Sequence, residues 1–348
     1  MSARAIPKPL SCGSHRPFAW FAPVRVEAVE LATLSEAELG RWRELAARSI
    51  VPNPFFEPDY VLPLAGALGQ LTAVRLLVVR DDDWHAVLPV QVSARWRRVP
   101  LRSLGTWRGY YLYSPLGSPL VGPEQPERCL SLLLDGMRRL DSRAWFAAVE
   151  LVAEDGEVAE PLAAAIAGLS PALIVFDRFE RAAVRRRPEP TYAEETLSSS
   201  SFRELRRQRR KLAEALDGEL EVVDGAGQDA AVERFVALET AGWKGREGTS
   251  IRADPRHVAF FGEMCRRFAE LGRLQVLELR GPEGTAAMKC NLLAGDTIFL
   301  FKQAYDESLA STSPGMLLEL EMLARFHDDA RVSFIDSCAN RNRWVAMA

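Results

Sequence analysis

The stretch FLFKQAYDESLASTSPGMLLELEML, residues 299–323, constrains the fold more than any other part of the chain. Its apolar opening predicts a strand. A short polar loop follows, and Ser313-Pro314-Gly315 predicts the start of a helix. Serine suits the N-cap, and proline at the first helical position loses only an N–H that has no partner anyway. Gly315 leaves room for a ligand near the backbone. The free N–H groups of such a turn, at the positive end of the helix dipole, suit a phosphate or pyrophosphate. Several folds hold a nucleotide-bearing cofactor with a strand that feeds a turn of this kind.

A chain of 348 residues is long for one average domain and comfortable for two. With a net charge of −3, it has no global attraction to nucleic acid or to an anionic membrane. The five cysteines are scattered and form no C-x-x-C pair, which argues against a disulfide framework and a structural zinc site. His15, His85, His257 and His327 form no ligand pair, so no metal is expected. No run approaches the ~20 apolar residues that span a bilayer. The opening residues lack an apolar run of signal-peptide length. A cytoplasmic location is expected, with peripheral contact at a membrane surface left open.

Residues 1–20 read as a loose tail. Two halves of similar element order follow: strand, helix, helix, a run of antiparallel strands, helix, strand. The first is placed at 21–185, a polar linker at 186–200, and the second at 201–348, opening with the basic helix SFRELRRQRRKLAEAL (201–216). Prolines at 52, 54, 58 and 63 read as breaks, and strands are expected at 71–79, 84–92 and near 172–180. The loop YLYSPLGSP (111–119) stands where the first half would carry its counterpart of 305–315, but it lacks the compact Ser-Pro-Gly opening. The expected fold class is mixed α/β, with each half a mostly antiparallel twisted sheet flanked by helices.

Four segments carry a resemblance. They are the basic helix, LETAGWKGREGTSI (238–251), FKQAYDESLASTSPGMLL (301–318) and Asp336-Ser337-Cys338-Ala339. In this order they resemble the GNAT acyltransferase fold. Their local residues are similar to the CelD-like acetyltransferases of cellulose and capsule biosynthesis, relatives of the FemAB peptidyltransferases with paired GNAT domains. Glu239, Trp243, Lys244, Gly245 and Gly248 match that family's Glu-x-x-x-Trp-Lys-Gly pattern. Family members usually continue past Asp-Ser-Cys-Ala with more strand and helix, whereas eight residues follow Asn340 here. The last strand of the sheet is therefore expected to be missing or supplied by another element.

The resemblance implies acyl transfer from acetyl-CoA, or another acyl-CoA, to an amine or hydroxyl. The acceptor would be a sugar or sugar-nucleotide. Two neighbouring strands, 297–304 and 331–336, would splay to admit the pantetheine arm. Lys302, Ser313, Pro314, Gly315 and Met316 would face the cofactor, and Trp243 and Lys244 the acceptor. Glu239 and Asp336 are equal candidates for the general base, and Tyr305 for the acid that protonates the departing thiolate. Two rivals share the resemblance: a FemAB-type aminoacyl-tRNA-dependent transferase, and a non-catalytic acyl-CoA-binding scaffold. Oligomeric state is not legible.

Three other features carry less. The basic helix has arginines over most of its surface, the pattern of a solvated face or an electrostatic dock. The acidic overall balance and the lack of interleaved aromatics argue against nucleic acid. Gly225-Ala226-Gly227-Gln228-Asp229-Ala230 fits G-x-G-x-x-A, but the second parallel strand and acidic residue of a dinucleotide site do not follow. Cys338 has no histidine near it in sequence, so direct transfer is preferred to an acyl-enzyme.

Overall fold

A computed structural model of the chain describes residues 24–96, 99–110, 113–168, 174–192 and 197–340. The tail expected at 1–20 lies outside them. In chain order the first half contains β1 (Arg25–Glu30), α1 (Glu36–Ala47), α2 (Pro58–Ala67), β2 (Arg75–Arg80), β3 (Trp84–Ser93) and β4 (Ser103–Thr106). It continues with β5 (Leu120–Val121), α3 (Pro126–Leu140), β6 (Phe146–Ala148) and α4 (Ala159–Ala167). Then come β7 (Arg181–Arg185), α5 (Ser199–Ala215), β8 (Glu221–Asp224), α6 (Asp229–Ala241), α7 (Trp243–Arg246) and α8 (Pro255–Glu270). The chain closes with β9 (Leu274–Gly281), β10 (Gly284–Ala294), β11 (Thr297–Tyr305), α9 (Pro314–Asp328) and β12 (Phe334–Asn340).

Two mixed sheets result. The first has the order β1-β2-β3-β4-β6, with β5 also on β3, and the second has β7-β12-β11-β10-β9-β8. Neighbours are antiparallel except for the pairs β4–β6 and β11–β12. The two sheets repeat one plan: three antiparallel strands, a helix, then a parallel strand beside the third. Even the helix entries agree. Gln125 before α3 and Ser313 before α9 both adopt φ 50 and ψ 51, and proline follows each. The fold is thus mixed α/β, as the sequence indicates.

β7 falls in the first half by sequence, yet it is the edge strand of the second sheet, antiparallel to β12. The edge of the second sheet beside β12 is therefore supplied from upstream. One arginine holds it there. Arg186 donates from Nε to the Val332 carbonyl (2.8 Å), from Nη1 to that of His327 (2.6 Å), and from Nη2 to those of Phe326 (2.6 Å) and Asp329. These include carbonyls that the end of α9 leaves without helical partners, at the negative end of its dipole. The described part of the strand expected near 172–180 is unpaired chain.

Prolines 58 and 63 do not break the chain, because both lie in α2. Pro58 sits at the first turn, where its missing N–H costs nothing. Pro63 forfeits one internal bond, which burial of Tyr60, Val61 and Leu64 offsets. This helix joins the halves. The Tyr60 ring meets Phe260 at 5.2 Å and Phe301 at 5.8 Å, and Phe55 meets Phe299 at 5.8 Å. The apolar core runs without a break from the first sheet to the α6–α8 face of the second, while α5 and α9 cover the opposite face.

Beside this core lies a buried ion pair across the halves. Arg273 donates from Nη1 and Nη2 to the two Glu57 oxygens at 2.6 and 2.5 Å. Burial pushes the Glu57 carboxyl up, and the Arg273 guanidinium opposes that rise. Removing one partner strands the other charge in the core. Glu57→Ala is expected to destabilise the chain by about 3–5 kcal/mol. Urea unfolding of both halves as one transition checks this; an unchanged midpoint would mean that the pair does not join them.

Candidate active site

β11 and β12 run side by side for only three residue pairs, Thr297–Phe334, Ile298–Ile335 and Phe299–Asp336. Both strands deform where pairing ends. β11 carries an extra residue against β10, between Phe299 and Lys302. β12 shifts register against β7 between Asp336 and Asn340, with Cys338 in the left-handed region at φ 55. Bulges bend strands and end ladders, so the two part here, and among the described residues no strand pairs with that side of β11 beyond Phe299. The Asp336 carboxylate fixes the kink by accepting from the Cys338 N–H at 2.8 Å. It also accepts from Arg181 Nη2 at 2.6 Å, while Arg181 Nη1 donates to the Pro115 carbonyl of the first half at 2.9 Å. Asp336 is thus engaged from two segments, and Arg181 links it onward to a third.

Beyond the parting point, side chains of β11 alternate between two faces. Lys302 turns toward the first half. Its Nζ lies 4.6 Å from the centre of the Tyr113 ring and 5.5 Å from that of Phe301. It has no hydrogen-bond or ion-pair partner among the described residues. Burial pulls its pKa down to about 8, with the charge of Lys244 adding to the shift. Around it stand Tyr110 and Tyr113 from the first half and His257 from α8. The imidazole is 4.7 Å from the Tyr110 ring and 5.0 Å from that of Tyr113. Burial also lowers the His257 pKa and raises that of Tyr113, the latter helped by the negative charge of Glu239.

Glu239 is buried under this cluster and both of its oxygens are used. Oε1 accepts from Lys244 Nζ at 2.9 Å, and Oε2 accepts from the Ile251 N–H at 2.9 Å. Lys244 also donates to the Gln303 carbonyl at 3.1 Å. Glu239 therefore shapes the loop 242–251 and aims Lys244 at β11. Gly245 is obligatory in that loop, since a Cβ there would sit 1.8 Å from the Thr240 carbonyl oxygen. Trp243 is exposed, and its N–H donates to Glu307 Oε1 at 2.5 Å.

The other face of β11 meets α9. Gln303 accepts from the buried Lys289 at 2.9 Å, and Lys289 is paired with Glu319. A Cβ on Gly315 would stand 2.5 Å from Gln303 Nε2, so the missing side chain lets the helix close on this network. Tyr305 is partly buried near the same spot. Ser313 sits at the N-cap, but its side chain makes no capping bond. The N–H groups of Met316 and Leu317 both donate to the Ser313 carbonyl, at 3.0 and 3.1 Å. Pro314 has none, which leaves the Gly315 N–H as the uncommitted donor of that turn.

The corresponding parting in the first sheet, beyond Gly105–Ala148, holds the chain's own backbone. Gly117 N–H donates to the Leu151 carbonyl at 2.9 Å, and Ala153 N–H to Ser118 Oγ at 2.9 Å. A Cβ on Gly117 would lie 2.0 Å from the Glu150 carbonyl oxygen.

The structure thus gathers Glu239, Lys244 and Lys302 in one cleft and sets Tyr305 and Ser313–Met316 on the other side of β11. Asp336 lies at the mouth between them. Sequence reading missed Tyr110, Tyr113, His257 and Arg181. In the sequence the loop 111–119 stands out only as a counterpart of 305–315, and nothing in the spacing of the others points to a site. Among the described residues no cluster of His, Cys, Asp and Glu could hold a metal ion.

The fold can be set beside known proteins. Residues 199–344 match the acetyltransferase (GNAT) domain family. The second half is therefore a GNAT-type domain. FemX aligns over 89% of this chain and 91% of its own, with TM-score 0.57 and 10% identity, a likeness of fold. Lower similarity, at TM-score 0.49, links the chain to the DUF2156 domain of a putative lysylphosphatidylglycerol synthetase from Agrobacterium fabrum, at 12% identity over 87% of this chain and 79% of that one. A search of curated proteins returned no match.

A partly buried cation with no partner among the described residues costs stability. Below pH 8 Lys302 is charged in the folded and unfolded chain alike, so the fold carries the full desolvation penalty. Above pH 10.5 it is neutral in both, and the penalty vanishes. Lys302→Met is expected to raise stability at pH 7 by about 1–2 kcal/mol, and by much less near pH 11. Melting curves at the two pH values check this. Destabilisation at pH 7 would mean that the charge has a partner.

Proposed function

We propose that the chain transfers an acyl group from a coenzyme A thioester to an amine or hydroxyl acceptor held between its two halves. The observation that carries this reading is the parting of β11 from β12 directly beside an unpartnered lysine in an aromatic cleft. The residues fit the donor in part. The open edge of β11 suits the pantetheine arm, as an added strand would pair there. The Gly315 N–H and the dipole of α9 suit the diphosphate, with Ser313, Pro314 and Met316 shaping the turn. A bound thioester supplies the activated carbonyl.

The chain's own groups then have distinct tasks. Lys302, neutral in part of the population near pH 8, takes the proton from the attacking amine or hydroxyl. Open N–H groups of the β11 bulge favour the developing oxyanion. Glu239 acts by holding Lys244, which brings positive charge to the same cleft. Tyr305, on the thiol side of β11, is the group for protonating the departing thiolate. Asp336 keeps the mouth open through Arg181. Tyr110, Tyr113 and the exposed Trp243 offer ring faces to a sugar, in line with the resemblance to CelD-like enzymes and with envelope polysaccharide as the destination.

One feature favours a second reading. A single uncommitted amide is little for a diphosphate, while α5 packs beside the turn before α9 and leaves Arg203, Arg206, Arg210 and Lys211 exposed and unpaired among the described residues. These suit the phosphates of an aminoacylated RNA, the donor implied by a FemAB-like resemblance.

Calorimetry with acetyl-CoA and with an aminoacylated RNA hairpin separates the two donors. On the leading reading acetyl-CoA binds, and thiol release appears with amino-sugar acceptors. The pH profile of kcat/KM should rise through about pH 8, as Lys302 loses its proton. Lys302→Met should cut kcat by about 10²–10⁴-fold and remove that limb. RNA binding without acetyl-CoA binding would overturn the thioester reading.

A further inference from the structure

On the α9 side of β11 lies a buried charged pair that takes no part in the chemistry of the cleft. Lys289 is 2% exposed and Glu319 9%. Apolar side chains of similar volume often replace such a pair without loss of stability, so packing alone does not require one. What the pair supplies is orientation. Lys289 stands directly opposite Gln303 in the β10–β11 register. Its ammonium donates to Gln303 Oε1 at 2.9 Å and to Glu319 of α9.

An ammonium only donates, so the oxygen of the Gln303 amide has to face Lys289 and the Nε2 group has to face away. The side it faces is the first turn of α9. A Cβ on Gly315 would stand 2.5 Å from Gln303 Nε2, and glycine leaves that approach open. Gln303 Nε2 has no acceptor among the described residues, and neither has the Gly315 N–H. Two hydrogen-bond donors without acceptors therefore stand at the same residue of the turn. One of them is fixed in its direction by a lysine buried in the core. On the cleft side the main-chain carbonyl of Gln303 accepts from Lys244 at 3.1 Å, so this one residue engages both faces of β11.

We propose that Gln303 is a further cofactor-binding residue, its Nε2 group donating to a phosphate oxygen of the thioester's diphosphate beside the Gly315 N–H, and that Lys289 and Glu319 are positioning residues that hold the amide in this sense. The inference rests on the thioester reading above and adds a second hydrogen-bond donor to the lone Gly315 N–H. Bonds to a charged phosphate oxygen are stronger than those between neutral groups. A swap of the amide's oxygen and nitrogen would turn this attraction into repulsion. Only a partner that cannot accept a hydrogen bond excludes the swap, and a lysine is such a partner.

The test uses the full chain, with calorimetry for coenzyme A and ligand-observed NMR for pantetheine, which has the arm but no diphosphate. Gln303→Glu keeps an oxygen for Lys289 and sets a negative charge at the phosphate. It should weaken coenzyme A binding by about tenfold or more and leave pantetheine binding unchanged. A merely structural role would spare both ligands in this variant or weaken both. Lys289→Met/Glu319→Leu should keep the fold, as thermal melts will show, while the freed amide costs about threefold to tenfold in coenzyme A affinity and nothing for pantetheine. Coenzyme A affinity that Gln303→Glu leaves intact, or a loss that pantetheine shares equally, overturns the proposal and leaves the thioester reading standing. Wild-type protein that binds no coenzyme A overturns both.

Discussion

Everything at the candidate site depends on two strands failing to stay together. A parallel pair gains a ladder bond for each residue it extends, so parting after three pairs needs a cause. The cause is local on both sides: an extra residue in β11, and a left-handed Cys338 held by the carboxylate of Asp336. Arg181 then ties that carboxylate to the first half. A non-glycine residue in the left-handed region carries strain, and its place at the mouth of a cleft supports a working role there.

The two halves share a plan and differ in what fills the gap. In the first, Gly117 and Ser118 occupy it, and the bonds a ligand would take are made within the chain. In the second, no such segment enters among the described residues. The first half contributes instead from outside, through Tyr110 and Tyr113 and through the rings of Phe55 and Tyr60 packed on β11. With the core continuous across them, a shift of one half would move the wall of the cleft in the other.

Local signals in the sequence reported local structure well. The Ser-Pro-Gly helix entry, the basic helix and the hairpin strands of both halves are present, because periodicity and capping act over a few residues. The helix containing Pro58 and Pro63 was hidden, since tertiary burial, which the sequence does not display, outweighs one lost bond. β7 was hidden for a similar reason. RAAVR is short and half-exposed, and it becomes a strand only because β12, about 150 residues later, offers an edge. At the site, Glu239, Lys244 and Lys302 stood out by pattern. Tyr113 and His257 did not, because their meeting is a product of how the halves pack.

Three buried or half-buried cations differ in how their charge is met. Lys289 meets Glu319 and Gln303, and Arg273 meets Glu57, so each charge is matched inside the fold. Among the described residues Lys302 meets only ring faces, which attract a cation but return less than a carboxylate does. A carboxylate is close at hand in Glu239, yet that residue spends both oxygens on Lys244 and the Ile251 amide. Had stability alone shaped the cleft, an apolar side chain at 302 would serve better. A lysine kept partly neutral by burial and left without a partner is what proton transfer at this position requires, which is why the acyltransferase reading centres on it.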